Sequence, residues 1–257
     1  MRQWSRDYFA DLSQRSQGIT NGLKGRLDDI VAGRVPPAVE DLALGSAKKM
    51  MASVLFFDVR GFSDWSSQPS DDGLKQALTM LDIVIPMMMH VLYDHDAYVE
   101  KNTGDGVMAV FPSTPDSAMS VMMALRAAAL MFYVLHRVVE PALAERGLPA
   151  VHARIGIDHG QLLLARIGVP TGTARLPRNS LVAVGPAAII ASRLQGLAST
   201  DEIWVGDAMR SLAPAEWHSF FQARIPEHWP WVFGNDSSKR YWVWKFAASM
   251  IDHALLA

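Results

Sequence analysis

KNTGDGVMAVF, residues 101–111, sets Asp105 between two glycines and follows it with a nearly unbroken apolar run. Asp-Gly is a favoured pair for a tight hairpin loop, because glycine accepts positive φ and aspartate hydrogen-bonds its own backbone. The stretch therefore predicts two strands, about 97–102 and 107–111, joined by a turn with Asp105 at its tip. On the N-terminal side, ASVLFFDV (52–59) is an apolar run of strand length, ended by the turn- and cap-rich RGFSDWSSQPSDDG. A helix over about 73–94 separates that strand from the hairpin. On the C-terminal side a long helix (115–146) is closed by RGLP, and VHARIGIDHGQLLLARIG (151–168) reads as two strands around Asp158-His159-Gly160. A helix at 186–197, a short strand IWVG, a helix at 205–212 and a terminal strand RYWVWKF (240–246) complete the pattern. The hairpins make the sheet mixed, so the expected fold class is α+β. Its core is ferredoxin-like, βαββαβ, with extra C-terminal strands and helices.

Composition narrows the function classes. Of 257 residues, 50% are hydrophobic and 19% charged, enough to bury a sizeable core. The net charge of −2 argues against a dominant nucleic-acid surface. No cysteine is present, which removes disulfides, thiolate metal sites and a thiol nucleophile. The N-terminal residues MRQWSRDYFADLSQRSQG carry no apolar signal core, and a cytoplasmic location is expected. Two very apolar windows, 78–93 and 118–139, contain Asp82, Pro86 and His90 in the first and Arg126, His136 and Arg137 in the second. They read as core helices, with no membrane partner expected. Residues 1–48 read as a helical extension with short helical patches, linked through GRVPPAVED to the main domain at 49–250. The Trp-rich stretch EHWPWVFGNDSSKRYWVW (227–244) reads as additional core and a closing hairpin.

In a ferredoxin-like core the strand bearing Asp58 neighbours the hairpin bearing Asp105, so both carboxylates converge at one end of the sheet. With the Val59 carbonyl they form a hard-oxygen set suited to Mg²⁺ or Mn²⁺ together with substrate phosphates. Gly61, Gly104 and Gly106 would let the backbone approach a nucleotide. A lone GDG carries little weight. Its pairing with FFDVRGFS about 45 residues earlier carries much more.

The set FFDVRGFS, KNTGDGVMAVF, RIGIDHGQLLLARIG and VGPAAIIASRL resembles the catalytic domain of class III nucleotidyl cyclases over residues 50–246. The resemblance implies a head-to-tail homodimer with two sites at the interface, each holding two Mg²⁺ or Mn²⁺ ions. Asp58 and Asp105, with the Val59 carbonyl, match the metal ligands. Arg154 matches an arginine near the triphosphate, and Arg193 a transition-state arginine reaching across from the partner. Lys101 matches a base-recognition lysine, and Phe56 falls among the substrate-binding positions. The implied reaction is in-line attack of the ribose 3′-hydroxyl on the α-phosphorus with loss of pyrophosphate. No side-chain nucleophile is required.

The departures from the family pattern concern the base and the ribose. Ile189 stands where an asparagine helps order the ribose and phosphates, and Val182 stands where a polar group often reads adenine. An adenine amino group left unpaired there would cost about 1–3 kcal/mol. The pattern is similar to the bacterial pyrimidine cyclases of Pycsar anti-phage systems, which also carry a short N-terminal extension. That similarity implies UTP as substrate, favoured over CTP by family abundance, with cyclic UMP acting on a separate effector protein. Two other readings stay open: an adenylate cyclase, and an inactive cyclase-like nucleotide sensor. The signature turn of diguanylate cyclases is absent.

Overall fold

The apolar strand around Phe56 and Phe57 is longer than the sequence suggests, running from Ala47 to Val59. In the computed structural model of this chain, the residues described are 6–23, 30–34, 36–38, 41–62, 70–102, 104–169, 179–225, 231–232, 236 and 238–247. In chain order the helices are α1 (Arg6–Leu23), α2 (Asp71–Tyr93), α3 (Ser117–Val134), α4 (Pro186–Leu197) and α5 (Asp207–Leu212). The strands are β1 (Val31–Ala32), β2 (Ala47–Val59), β3 (Tyr98–Asn102), β4 (Gly106–Pro112), β5 (Ala153–Gly168), β6 (Asn179–Val184), β7 (Glu202–Gly206), β8 (Phe221–Arg224) and β9 (Val243–Phe246). The chain divides into two compact units. One comprises Met1–Met50 with Leu163–Val184, and the other Met51–Leu162 with Gly185–Ala257.

In the second unit the strand order is β3-β4-β2-β5-β7-β9-β8. The hairpin β3–β4 and the pairs β2–β4, β7–β9 and β8–β9 are antiparallel, whereas β5–β7 is parallel. The expected mixed sheet and βαββαβ order are thus present. Strand side chains alternate between faces. Accordingly Leu55, Phe57 and Val59 of β2, Val107, Ala109 and Phe111 of β4, and Ile155 and Ile157 of β5 enter one apolar cluster. That cluster also takes Met88 and Leu92 from α2 and Leu125 and Met131 from α3. Both helices have side-chain N-caps. Ser70 Oγ accepts from Gly73 N–H at 3.1 Å and Asp116 Oδ1 from Met119 N–H at 2.9 Å. Helix α3 continues through a π turn at Leu135–Val139 and a last turn at Glu140–Ala144. It stops at Gly147 (φ +68°), as the RGLP signal predicts.

Helices Asp71–Tyr93 and Ser117–Ala144 are long and apolar enough to cross a membrane by length and composition. Most of their buried residues pack in the cluster just described. In the first unit, β1 pairs parallel with the start of β2 and β6 antiparallel with Leu163–Gly168.

The structure corrects four local expectations. Residues 153–168 form one strand rather than two, because Asp158 and His159 find buried partners (below) and need no turn. The N-terminal patches join into a continuous 18-residue helix. Strands β6 and β8 add to the expected set, β6 as the six residues NSLVAV and β8 as only four, FQAR. The terminal strand begins at Val243, with Arg240 only in an isolated bridge to Val232.

Helix α4 crosses β5 closely enough that a methyl group on Gly156 would overlap the Ala191 carbonyl and the Gln195 backbone. These are backbone atoms and cannot rotate away. Gly156→Ala should therefore lower stability by about 1–3 kcal/mol or more, measured by urea denaturation. An unchanged midpoint would show that α4 can shift freely.

Candidate active site

The site starts from the β2–β4 register, which places Asp58 opposite Gly106. Beyond it, the Val59 N–H donates to the Asp105 carbonyl at 3.0 Å. The turn depends on Gly104, whose φ of +97° is costly for other residues. A Cβ there would meet nothing within 4 Å, so backbone conformation rather than packing demands glycine. The next residue along β5 that matters is Arg154. Its Nε and Nη2 donate to Asp58 Oδ2 at 3.0 and 2.9 Å, and its Nη1 donates to the Gly196 carbonyl of α4 at 3.3 Å.

Burial, followed by the negative charge of Asp58, pushes the Asp105 carboxyl above its ordinary range, with Arg154 opposing. A partly desolvated carboxyl raised by a neighbouring carboxylate makes a place where added positive charge is stabilising. Among the described residues no group of three or more His, Cys, Asp or Glu is arranged for a metal. Two carboxylates with a backbone oxygen are a hard-oxygen set of the kind that suits Mg²⁺ or Mn²⁺ completing its shell with phosphate and water. Asp58, Asp105 and the Val59 carbonyl would hold such an ion, and it would neutralise phosphate charge and lower a hydroxyl pKa.

The other sequence-predicted residues are placed as follows. Phe56 is half-buried on β2 opposite Met108, which in turn is opposite Lys101 on β3, just past a bulge after Val99. Phe56 and Asp58 share the face of β2 opposite the main apolar cluster. Arg193 lies on α4, outside the Asp58–Arg154–Asp105 cluster. Its guanidinium carbon sits 5.2 Å from the centroid of the Trp231 ring. Ile189, one turn earlier on the same stripe, is 50% exposed, and Leu197, one turn later, is 43% exposed. Val182 is half-buried on β6, in register with Ala165, and belongs to the other compact unit.

The sequence profile of the adenylate and guanylate cyclase catalytic domain matches residues 45–243. The chain belongs to this family. An adenylate cyclase of Anabaena cylindrica is 26% identical over 198 residues, which is 73% of this chain and 37% of the relative. The chain thus spans little more than a third of that relative's length. Among solved structures, the guanylyl cyclase Cya2 superposes with a TM-score of 0.65 at 18% identity, over 80% of this chain and 96% of that one. A class III adenylyl cyclase-like ATP-binding protein from Pseudomonas aeruginosa gives a TM-score of 0.67 at 17% identity, over 91% of this chain and 47% of that one.

Two buried polar clusters in this cyclase-family domain escaped the sequence reading. Asp158 is 1% exposed and accepts a 2.5 Å hydrogen bond from the Tyr241 hydroxyl, which itself accepts from Ala208 N–H at 3.3 Å. Gly206 makes room, since a methyl group there would overlap both oxygens. Burial pushes the Asp158 carboxyl up to about 7 and raises the Tyr241 phenol further above its usual range. The second cluster is a donor chain. Ser120 Oγ accepts from Ser53 N–H at 3.0 Å and donates to the Phe111 carbonyl at 2.7 Å, so Ser53 Oγ donates to Ser120 at 2.9 Å. His159 Nδ1 must then carry the proton it gives to Ser53 Oγ at 3.0 Å. Nε2 is left buried with no hydrogen-bond partner among the described residues, and burial lowers this imidazole to about 4.

A carboxyl whose folded pKa is raised binds its proton more tightly in the folded state. Its contribution is complete below the unfolded value and lost as pH rises through the folded one. Relative to Asp158→Asn, the wild type should therefore lose stability between about pH 4 and pH 7, by roughly 3–4 kcal/mol. Urea midpoints of both proteins across that range give the difference. His159 contributes with the opposite sign but equally to both. A parallel pH profile would mean Asp158 is ionised in the fold.

Proposed function

We propose that this domain is a metal-dependent nucleotidyl cyclase converting a pyrimidine nucleoside triphosphate, in the first instance UTP, to 3′,5′-cyclic UMP and pyrophosphate. The observation that carries the reading is the convergence of Asp58 and Asp105 at one end of the sheet, with Arg154 beside them. In the reaction the ribose 3′-oxygen bonds to the α-phosphorus and the bond to the β-phosphate bridging oxygen breaks. Pyrophosphate leaves and the hydroxyl proton passes to water. Arg154 would move from Asp58 to the triphosphate, and Arg193 from a partner copy would stabilise charge on the phosphoryl oxygens, commonly the largest contribution in phosphoryl transfer. Lys101 and Phe56 would contact the nucleotide. The half-exposed stripe Ile189–Arg193–Leu197 on α4 supports a homodimer in which that arginine faces the partner.

Apolar Val182 supports uracil, which carries no amino group, over adenine, because it offers no partner to a buried amino group. Ile189 in place of the ribose-ordering asparagine is a second departure from the purine cyclases. By the same reading residues 49–250 are the catalytic unit, the protein is cytoplasmic, and the product signals to a separate effector in anti-phage defence. A second reading has support of its own. The Anabaena relative is an adenylate cyclase and the Pseudomonas structure is of an ATP-binding protein, so ATP turnover, or binding without turnover, is the alternative.

The test is mass spectrometry of products after incubation with ATP, GTP, CTP and UTP together plus Mn²⁺. A single cyclic pyrimidine product is expected, and Asp105→Ala should lower its formation at least about 100-fold while leaving the dimer intact by light scattering. Cyclic AMP as product would overturn the base assignment. No product from a folded protein that binds nucleotide would favour the sensor.

A further inference from the structure

The Trp-rich stretch 227–244 has no part in the reaction as described, yet one of its rings touches the residue assigned to the transition state. Arg193 is exposed on α4, and a long side chain on a solvated helix face ordinarily samples many rotamers. Here its guanidinium carbon lies 5.2 Å from the Trp231 ring centroid, within the range of a cation–π contact, for which indole is the best face. The ring is firmly based. Trp231 packs against the cluster of Ile190, Leu194, Ala198, Trp204, Tyr241 and Val243, and the first two of these flank Arg193 on α4. Its carbonyl accepts from Tyr241 N–H at 3.0 Å, and the Tyr241 hydroxyl is held by buried Asp158. A ladder bridge joins Val232 to Arg240 immediately beyond. The chain from buried Asp158 through Tyr241 to Trp231 thus sets an aromatic platform beside α4.

We propose that Trp231 is a positioning residue that holds the Arg193 guanidinium in the orientation from which it reaches the partner's phosphoryl oxygens. The inference rests on the cyclase reading above. An arginine fixed before substrate arrives need not be ordered during the reaction, so losing the platform lowers turnover rather than substrate affinity.

The experiment is a double-mutant cycle on the purified full chain, with Trp231→Leu, Trp231→Phe, Arg193→Ala and the Trp231→Leu/Arg193→Ala pair. Leucine keeps apolar packing and removes the π face, while phenylalanine keeps a face. For Trp231→Leu we expect kcat about tenfold lower with KM within about twofold, and for Trp231→Phe kcat within about threefold of wild type. In the Arg193→Ala background, Trp231→Leu should add no further loss. Two results would overturn the proposal alone: Trp231→Leu with wild-type kcat while Arg193→Ala is impaired, or the same tenfold loss in both backgrounds, which would mark a structural role. Full turnover by Arg193→Ala would overturn the role given to Arg193 and the proposal with it, whereas no cyclic product from the wild type would overturn the cyclase reading beneath both.

Discussion

The antiparallel register of β2 against β4 sets Asp58 across from Gly106 and ties the Val59 N–H to the Asp105 carbonyl. Everything chemical in this domain depends on it. Side chains alternate along a strand, so a slip of one residue would turn Leu55, Phe57 and Val59 out of the core and Asp58 into it. The apolar demand that positions the first three residues therefore positions the carboxylate as well. Packing and chemistry share one constraint, and neither can be changed alone.

The second constraint is the close crossing of α4 over β5. Gly156 removes the side chain that would hold the two apart. The crossing brings the Gly196 carbonyl within reach of Arg154, which also grips Asp58. Arg154 thus sets a positive charge beside the aspartate pair. The same helix carries Arg193 on its outer stripe, set on Trp231 rather than over the carboxylates. One helix is accordingly tied to one end of the sheet through its carbonyls and offers its arginine away from that site.

Buried polar groups explain why β5 runs straight where the sequence suggests a turn. Asp158-His159-Gly160 carries strong turn chemistry. Its aspartate is satisfied by Tyr241, 83 positions away, and the Nδ1 of its histidine is bonded to Ser53, 106 positions away. Local preference was overridden by partners that no window of sequence contains. The hairpin at Asp105 was legible for the opposite reason, since Gly104 and Gly106 act within the turn itself. The cap-rich stretch that leads into helix α2, and the stop at Gly147, were legible on the same grounds.

By itself the sequence determined the βαββαβ order of the core, the mixed sheet, and the placing of Asp58 at a strand end and Asp105 in the hairpin turn, because these follow from periodicity and turn chemistry acting over a few residues. Tertiary structure alone decided that Arg154 pairs with Asp58, that Asp158 is buried against Tyr241, and that Arg193 rests on Trp231. Each of those contacts joins residues 38 to 96 positions apart. Their geometry is set by strand register and helix packing, and it becomes visible only once the sheet has closed on its core.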